Sequence, residues 1–440
     1  MGDKNISANI KTAAGEMRQM LKDRTIPFWL DRSVDAEFGG YLVCIDQDGS
    51  VNPGANKMII TQTRMLWGFS ALLAFAKKDD IGRMESAADQ GYDFLVKNFW
   101  DGEHGGFFWE TLRSGELVDG GKLTYAQSFA IYALCQYYLA YKNPEALAYA
   151  EKTFDLLQKY AADNLYGGYF ENLEQDWSAS PGGVFAGDRK SLDIHMHLME
   201  AFTVLFLASG KDIHKKKLTE VIAVIMSHMV NKESGYGLNQ FDSAFCGLPA
   251  INIHRTWNAD RETGETLGAP ADTTSYGHNV ELSWLLRRAF EVLGEFPDEL
   301  ALAGKKLLDH SLLHGYDHEF GGVYRDGIGN EPALVKDKEW WQNFESMTGY
   351  LYGYKTYGDE RFLEAFFSTW EFIKKYFIIE RFGESRQLLK RNGEPIISAI
   401  GNPWKAVYHT GRSLSECVGV LKELEGSISV CKVEMVFQHH

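Results

Sequence analysis

The sequence is poor in cysteine and has no paired cysteine motif. Its 440 residues include five cysteines, and no two of them are spaced as Cys-x-x-Cys. An odd number of scattered cysteines argues against a disulfide framework and against a metal site built on thiolates.

Long apolar runs are also missing. No stretch approaches the roughly 18–20 apolar residues that cross a bilayer, and the first residues, Met-Gly-Asp-Lys, lack the apolar core of a signal peptide. The chain also has fewer basic residues than acidic ones, 45 against 60, and its net charge is therefore −15. Such a surface repels phosphate backbones and anionic lipids. We therefore expect a cytoplasmic protein with no nucleic-acid or membrane partner.

A short phrase of polar residues, glycine and an aromatic residue recurs along the chain. It is clearest at Asp35–Tyr41 and Asp101–Phe107. The first glycine of each copy lies at position 39, 105, 167, 235, 321 or 383, so the copies are 62 to 68 residues apart except for one interval of 86. Nearly constant spacing is typical of repeat proteins. Because glycine accepts the positive φ of tight turns, each phrase predicts a short hairpin.

Each repeat contains two segments with helical spacing of apolar residues. One is apolar on almost all sides, which indicates a buried helix, and the other carries a polar stripe, which indicates a surface helix. The buried segments are 65–77, 128–141, 195–209, 280–293 and 347–357, and the surface segments are 147–161, 216–229, 300–310 and 361–376. Six such pairs predict an all-α protein, an (α/α)6 barrel with short β-hairpins at one end. Residues 1–440 would form one catalytic domain. An open helical solenoid is the alternative.

One segment accounts for the long interval between repeats. Residues 255–274 are polar, contain glycine and proline, and show no apolar period. They predict an inserted loop just before a buried helix, and long loops in compact domains are often functional.

Polar residues interrupt the buried helices at regular intervals. They are Arg64, Gln127, His197, His278, Glu345 and His409, which follow one another at steps of 63 to 81 residues. Equivalent positions in equivalent repeats lie at one height around a barrel axis. Because buried ionisable groups are costly unless paired or functional, this set predicts a pocket on which these side chains converge.

Two of these histidines suit acid–base chemistry. Since the pKa of imidazole lies near neutrality, a histidine on each side of a substrate can remove a proton from one face and return it to the other. His278 and Glu281 are three residues apart and share a helix face, whereas His409 comes from another repeat. His195 and His197 are two apart and point in nearly opposite directions. We expect only one of them in the pocket, and the pair is a poor metal site.

Four phrases resemble the N-acylglucosamine 2-epimerase superfamily, and most closely its cellobiose 2-epimerase branch. They are Lys190–Phe202, Ser275–Leu286, Lys338–Gln342 and Pro403–His409. The resemblance runs roughly from residue 28 to residue 424. It implies an (α/α)6 barrel that needs no metal and no nucleotide cofactor and that acts on a small-molecule sugar. We expect a monomer or a weak homodimer.

The resemblance also implies roles for individual residues. His278 and His409 match the acid–base pair, and Glu281 matches the carboxylate that supports the first histidine. The residues predicted to hold the sugar are Arg64, Tyr125, Asp193, His197, Trp341, Glu345 and Trp404. The implied reaction inverts C2 of a free aldose through a cis-enediolate, whose charge develops beside Arg64. Glu345 suits a structural ion pair as well as it suits a binding role.

Other functions fit parts of the sequence. Asp193 replaces the asparagine usual in the cellobiose branch, and residues 255–274 form a longer segment than expected there. The substrate can therefore be a disaccharide or the mannose–glucose pair. An aldose–ketose isomerase would use the same enediolate. A glycoside hydrolase would need two opposed carboxylates, for which Glu281 and Glu345 are candidates. A sugar-binding protein without catalysis is a further alternative.

Overall fold

The computed structural model describes residues 3–249, 251, 253, 255 and 273–437, apart from the side chains of 3–5 and 427–437. In this part of the chain, helices form two concentric rings. The inner ring consists of α3 (Ile59–Ala71), α5 (Thr124–Tyr141), α7 (Leu192–Ser209), α9 (Tyr276–Leu293), α11 (Trp340–Tyr357) and α13 (Val407–Phe437). The outer ring consists of α1 (Asp3–Met20), continued by α2 (Ile26–Arg32), and of α4 (Ile81–Phe94), α6 (Pro144–Leu156), α8 (Asp212–Val224), α10 (Asp298–His310) and α12 (Glu360–Phe372).

The inner ring is closed. Each inner helix packs against the next one in the chain, and α13 packs against α3. Each outer helix covers an inner one, as α12 covers α11 and α1 covers α13. An inner helix is therefore enclosed on almost every side, which explains why it is apolar all round. Closure confirms the barrel and excludes the open solenoid.

Short antiparallel strands surround the end of the barrel at which the inner helices begin. They are β1 (Lys57–Met58), β2 (Glu110–Thr111), β3 (Leu117–Asp119), β4 (Lys122–Leu123), β5 (Asn172–Leu173), β6 (Arg189–Ser191), β7 (Val230–Asn231), β8 (Tyr236–Gly237), β9 (Gln240–Asp242), β10 (Thr273–Ser275), β11 (Asp326–Ile328), β12 (Lys338–Glu339), β13 (Ile378–Ile379), β14 (Glu384–Ser385), β15 (Leu388–Leu389) and β16 (Pro395–Ile397). Pairing follows the orders β1-β2-β3, β4-β5, β6-β9, β7-β8, β10-β11, β12-β15-β16 and β13-β14. In register, Lys57 faces Thr111 and Lys122 faces Leu173. The predicted hairpins at one end are confirmed.

The six glycine phrases form the tight turns. The first glycine of every phrase has a positive φ, between 66° and 85°. The turn is then held by an inner-helix side chain: the amide of Phe107 donates to Oε1 of Gln127 at 2.9 Å, and the amide of Tyr169 donates to Nε2 of His195 at 3.0 Å. A Cβ at Gly168 would lie only 2.6 Å from that Nε2. The second glycine is therefore required for this close approach.

Buried lysine–aspartate pairs tie the hairpins to the strands that lead into the inner helices. Lys122 Nζ lies 2.8 Å from Asp101, with side chains only 0% and 2% exposed. The other such pairs are Lys57–Asp35, Lys190–Asp163 and Lys338–Asp317. Each pair neutralises a charge that would be expensive to bury alone. The pairs thereby fix where four of the inner helices, α3, α5, α7 and α11, start at the barrel mouth.

One inner helix, α7, is long and apolar enough to cross a bilayer by length and composition. It packs between α5 and α9, and most of it is buried inside the barrel. Its first turns carry Asp193, His197 and Glu200. Within the described residues, α7 is a core helix that delivers ionisable groups to the barrel axis.

Candidate active site

The first turns of the inner helices enclose a cavity at the barrel mouth. The cavity is small, with a volume of about 70 Å³. It is lined by Arg64, Tyr125, Asp193, His197, His278, Glu281, Trp340, Trp341, Trp404 and His409. Nine of the ten residues predicted from the sequence therefore lie together. Glu345 is not on the wall, and Trp340 is an addition.

The two candidate acid–base histidines both lie close to one indole ring. The ring centroid of Trp341 is 4.5 Å from that of His278 and 5.8 Å from that of His409. His278 lies in the first turn of α9, which Ser275 caps, and His409 lies in the first turn of α13. Imidazoles from two separate helices therefore face the same cavity, as a two-sided proton transfer requires.

His409 is held as a neutral imidazole. Its Nδ1 lies 2.8 Å from Oε1 of Glu345, which leaves Nε2 as the ring nitrogen for the cavity. Burial, together with the positive charges of Arg64 and Arg412, places the pKa of His409 well below its usual value. Burial also raises the pKa of Glu345 to about 8, aided by Glu281 and opposed by Arg412. A neutral histidine is ready to accept a proton near pH 7.

The carboxylate beside His278 is Asp193 and not Glu281. Nε2 of His278 lies 3.4 Å from Oδ1 of Asp193, whereas Glu281 accepts a hydrogen bond from Arg412. The expected support of His278 by Glu281 is thus wrong as a direct contact. The two residues share a helix face, but the guanidinium of Arg412 binds the Glu281 carboxylate instead.

His197 carries a positive charge at neutral pH. Its Nδ1 lies 3.0 Å from Oε2 of Glu200 and its Nε2 lies 3.3 Å from Oδ1 of Asp193. Burial lowers the pKa of His197, but the two carboxylates outweigh it and raise the pKa to about 9. His195 has a structural role in the hairpin, and burial lowers its pKa to about 4. The prediction that only one of the pair enters the pocket is confirmed.

Arg64 supplies a second fixed positive charge. It is 3% exposed, and its two Nη atoms donate to the carbonyl of Trp404 at 2.5 Å and to the hydroxyl of Tyr125 at 3.0 Å. Its guanidinium lies over the ring of Phe129, 4.5 Å from the centroid. Nε has no hydrogen-bond partner among the described residues. The guanidinium lines the cavity, and its charge acts there on the carboxylate of Asp193.

A buried cluster behind the cavity is centred on Arg412. Its guanidinium, on a residue only 1% exposed, contacts the carboxylates of Glu200, Glu281 and Glu345. Potential metal-ligand atoms of Glu281, Glu345 and His409 lie within 4.8 Å of one another. The guanidinium contacts both of those carboxylates, so the position of a cation is taken by Arg412 itself. The spacing of the repeats does not reveal Glu200. The signal that could have found it is an acidic residue inside a helix that is otherwise apolar on all sides.

Two further predicted positions differ from expectation. Gln127 does not reach the cavity, because its amide binds both the N–H and the C=O of Phe107 at 2.9 and 2.8 Å. Glu345 is fully buried behind His409 and forms the ion pair that was one of its two predicted roles.

Of the predicted loop at 255–274, residues 256–272 lie outside the described residues. Arg255 forms a bidentate ion pair with Asp119.

Comparison with known proteins places the chain in a family. Residues 40–413 match the family model described as N-acylglucosamine 2-epimerase. This chain belongs to the N-acylglucosamine 2-epimerase family. A cellobiose 2-epimerase of Ruminococcus albus is 30% identical over 92% of this chain and 97% of that protein. A D-mannose isomerase of Marinomonas mediterranea is 24% identical over 91% of this chain and 95% of that protein.

A solved structure extends the family likeness to three dimensions. The cellobiose 2-epimerase from Bacillus thermoamylovorans superposes with a TM-score of 0.82 at 25% identity, and the match covers 93% of this chain and 99% of that one. The family member described here therefore has the fold of a sugar epimerase over nearly its whole length.

Proposed function

We propose that this protein is a sugar 2-epimerase, which inverts C2 of a free reducing aldose by passing a proton between two histidines. The observation that carries the proposal is the pair of imidazoles, His278 and His409, which come from different helices, line one cavity and both lie within 6 Å of the Trp341 ring. Because the same carbon must lose a proton from one face and gain it on the other, epimerisation needs an acid–base group on each side.

The charges of the site suit the enediolate that this reaction forms. In one direction, neutral His409 takes the C2 proton of the open-chain sugar, and the electron pair of the C–H bond forms the C1–C2 double bond while the carbonyl oxygen becomes anionic. Arg64 and protonated His197 line the same cavity and offer fixed positive charge to that oxygen. His278 then donates a proton to the opposite face of C2, and the carbonyl re-forms. In the reverse direction the two histidines exchange roles.

The substrate class follows from the walls and from the relatives. Trp341 and Trp404 line the cavity with flat rings on which the apolar face of a sugar stacks. The relatives that bear the name cellobiose 2-epimerase support a disaccharide such as cellobiose as the first substrate to test. Mannose and glucose are the second choice, because Asp193 stands where that branch usually has asparagine.

An aldose–ketose isomerase is the second candidate function. It shares the enediolate but returns the proton to C1, and a relative at 24% identity is a D-mannose isomerase. A glycoside hydrolase fits less well. Its two carboxylates would have to oppose each other across the sugar, whereas Glu281 and Glu345 both bind Arg412, and Glu345 has no exposed surface.

Product analysis distinguishes these reactions. The protein is incubated with cellobiose, lactose, glucose or mannose, and the anomeric protons are followed by NMR, with His409→Asn as the inactive control. We expect the C2 epimer as the main product from at least one sugar. A ketose as the main product would establish the isomerase instead, and free glucose from cellobiose would establish the hydrolase.

A further inference from the structure

An unbroken series of polar contacts joins two histidines behind the cavity. His197 Nδ1 lies 3.0 Å from Oε2 of Glu200, and Glu200 contacts Arg412 through its other oxygen. Arg412 Nη2 lies 2.8 Å from Oε1 of Glu345, and that same oxygen lies 2.8 Å from Nδ1 of His409. Each of these five side chains is at most 5% exposed, so water does not screen the contacts.

The two ends of this series differ in how the carboxylate is shared. At Glu345, the guanidinium and the imidazole of His409 contact the same oxygen, and burial raises the pKa of this carboxyl to about 8, so little negative charge faces His409 near pH 7. At Glu200, the guanidinium binds Oε1 and His197 keeps Oε2 for itself, with Asp193 as a second carboxylate. One arginine therefore shares a carboxyl oxygen with His409 but binds a different oxygen from the one that His197 contacts.

We propose that Arg412 is a positioning residue, which acts through Glu345 and Glu200 to hold His409 as a neutral base and His197 as a cation. Arg412 is not on the reacting side of either imidazole, because it contacts the carboxylates behind them. The inference rests on the proposed function for its catalytic meaning. It adds to that function one group that contacts the carboxyl partners of both histidines.

The charge of His409 depends on every ionisable group that surrounds it. Those groups are Arg64 of α3, His197 and Glu200 of α7, His278 and Glu281 of α9, Glu345 of α11, and Tyr408 and Arg412 of α13. Arg412 lies nearest to the carboxylate that His409 uses, which makes it the most direct group to test. Burial and the charge of Arg412 act in the same direction, since both lower the pKa of His409.

The test measures the two imidazoles directly. Protein labelled with ¹³C at histidine Cε1 is titrated by NMR, and the resonances are assigned with His409→Asn and His197→Asn. In the unmodified protein, His197 is expected to be protonated at pH 7 and His409 neutral. Equal and ordinary titration midpoints for both histidines would overturn the proposal without any variant of Arg412.

Variants of Arg412 then separate positioning from packing. Arg412→Met is expected to raise the titration midpoint of His409 by about one to three pH units, as removal of a nearby charge does, and to move the acid limb of the kcat/KM profile upward with it. Arg412→Lys keeps the charge and is expected to restore the midpoint. Arg288→Met is the matched control, because Arg288 lies further along α9 and pairs with Glu291 at 2.7 Å, away from the histidines.

The outcomes distinguish the two proposals. If Arg412→Met folds and the titration midpoint of His409 does not change, the positioning role is refuted. It is also refuted if the His409 midpoint is the same in Arg412→Lys as in Arg412→Met. If the midpoint shifts as expected but the unmodified protein epimerises no sugar, the proposed function fails while the role of Arg412 stands.

Discussion

Replacement of Asp193 by asparagine tests the electrostatics of the site most sharply. Oδ1 of Asp193 lies 3.3 Å from Nε2 of His197 and 3.4 Å from Nε2 of His278. Asparagine has nearly the same shape but no charge, so Glu200 remains as the only carboxylate of His197. Loss of an opposite charge at this distance lowers a histidine pKa by about one to two units. The pKa of His197 should fall from about 9 to the range of about 7 to 8.

The consequence for catalysis depends on pH. At pH 8, about nine tenths of His197 is protonated with Asp193 present, against about a half to a tenth after the replacement. The basic limb of the kcat/KM profile should shift to lower pH by about one to two units. The value of kcat/KM near pH 6 should change little. Histidine NMR gives the His197 midpoint independently, and Asp188→Asn is the control, because that side chain is 56% exposed.

The same contact predicts how stability depends on pH. The pKa of His197 is higher in the folded protein, about 9, than the value of about 6.5 of an unfolded chain. Its stabilising contribution is therefore complete below pH ~6.5 and is lost as the pH rises through 9. Asp193→Asn should cost about 1 to 3 kcal/mol of unfolding free energy at pH 6 and almost nothing above pH 9.5 or so. This reasoning would be refuted if Asp193→Asn left the basic limb of the kcat/KM profile unmoved and lost the same unfolding free energy at pH 6 as at about pH 9.5.

Further predictions concern other parts of the molecule. His278→Ala and His409→Ala should each abolish epimer interconversion and leave the circular dichroism spectrum unchanged; retained turnover in either would contradict the assignment. Lys122→Met should lower the unfolding free energy by about 3 to 5 kcal/mol in urea titrations, because it leaves Asp101 buried without a partner; a loss under about 1 kcal/mol would be inconsistent with that cost. Gln127→Ala should cost about 1 to 3 kcal/mol by the same assay but leave kcat and KM unchanged, since Gln127 binds a hairpin and not the cavity.

Much of the fold could be predicted because glycines at positive φ mark the tight turn of each repeat. The starts of the inner helices were harder to predict. The apolar pattern indicates helices over 65–77 and 347–357, whereas α3 and α11 begin at Ile59 and Trp340. The early turns carry residues such as Arg64 and Gln342, which interrupt the apolar pattern and find their partners only when other repeats close around them.

The composition of the site was predictable, but its pairing was not. Periodic spacing places side chains at one height, which brought His278 and His409 into one cavity. Which carboxylate meets which histidine depends on the rotation of each helix about its axis, so Asp193 and not Glu281 lies beside His278. The four cysteines whose side chains the structure describes are free. The cytoplasmic location and the monomeric or weakly dimeric state stay predictions.

Deuterium exchange at C2 tests the central claim most directly. The protein is incubated with cellobiose or mannose in D2O, and the C2 proton signals of substrate and product are followed by NMR beside the His278→Ala and His409→Ala variants. Our account predicts that solvent deuterium enters C2 of the epimer formed by the unmodified protein and that neither variant forms the epimer. An epimer that keeps its original C2 proton throughout, or full turnover by either variant, would contradict it.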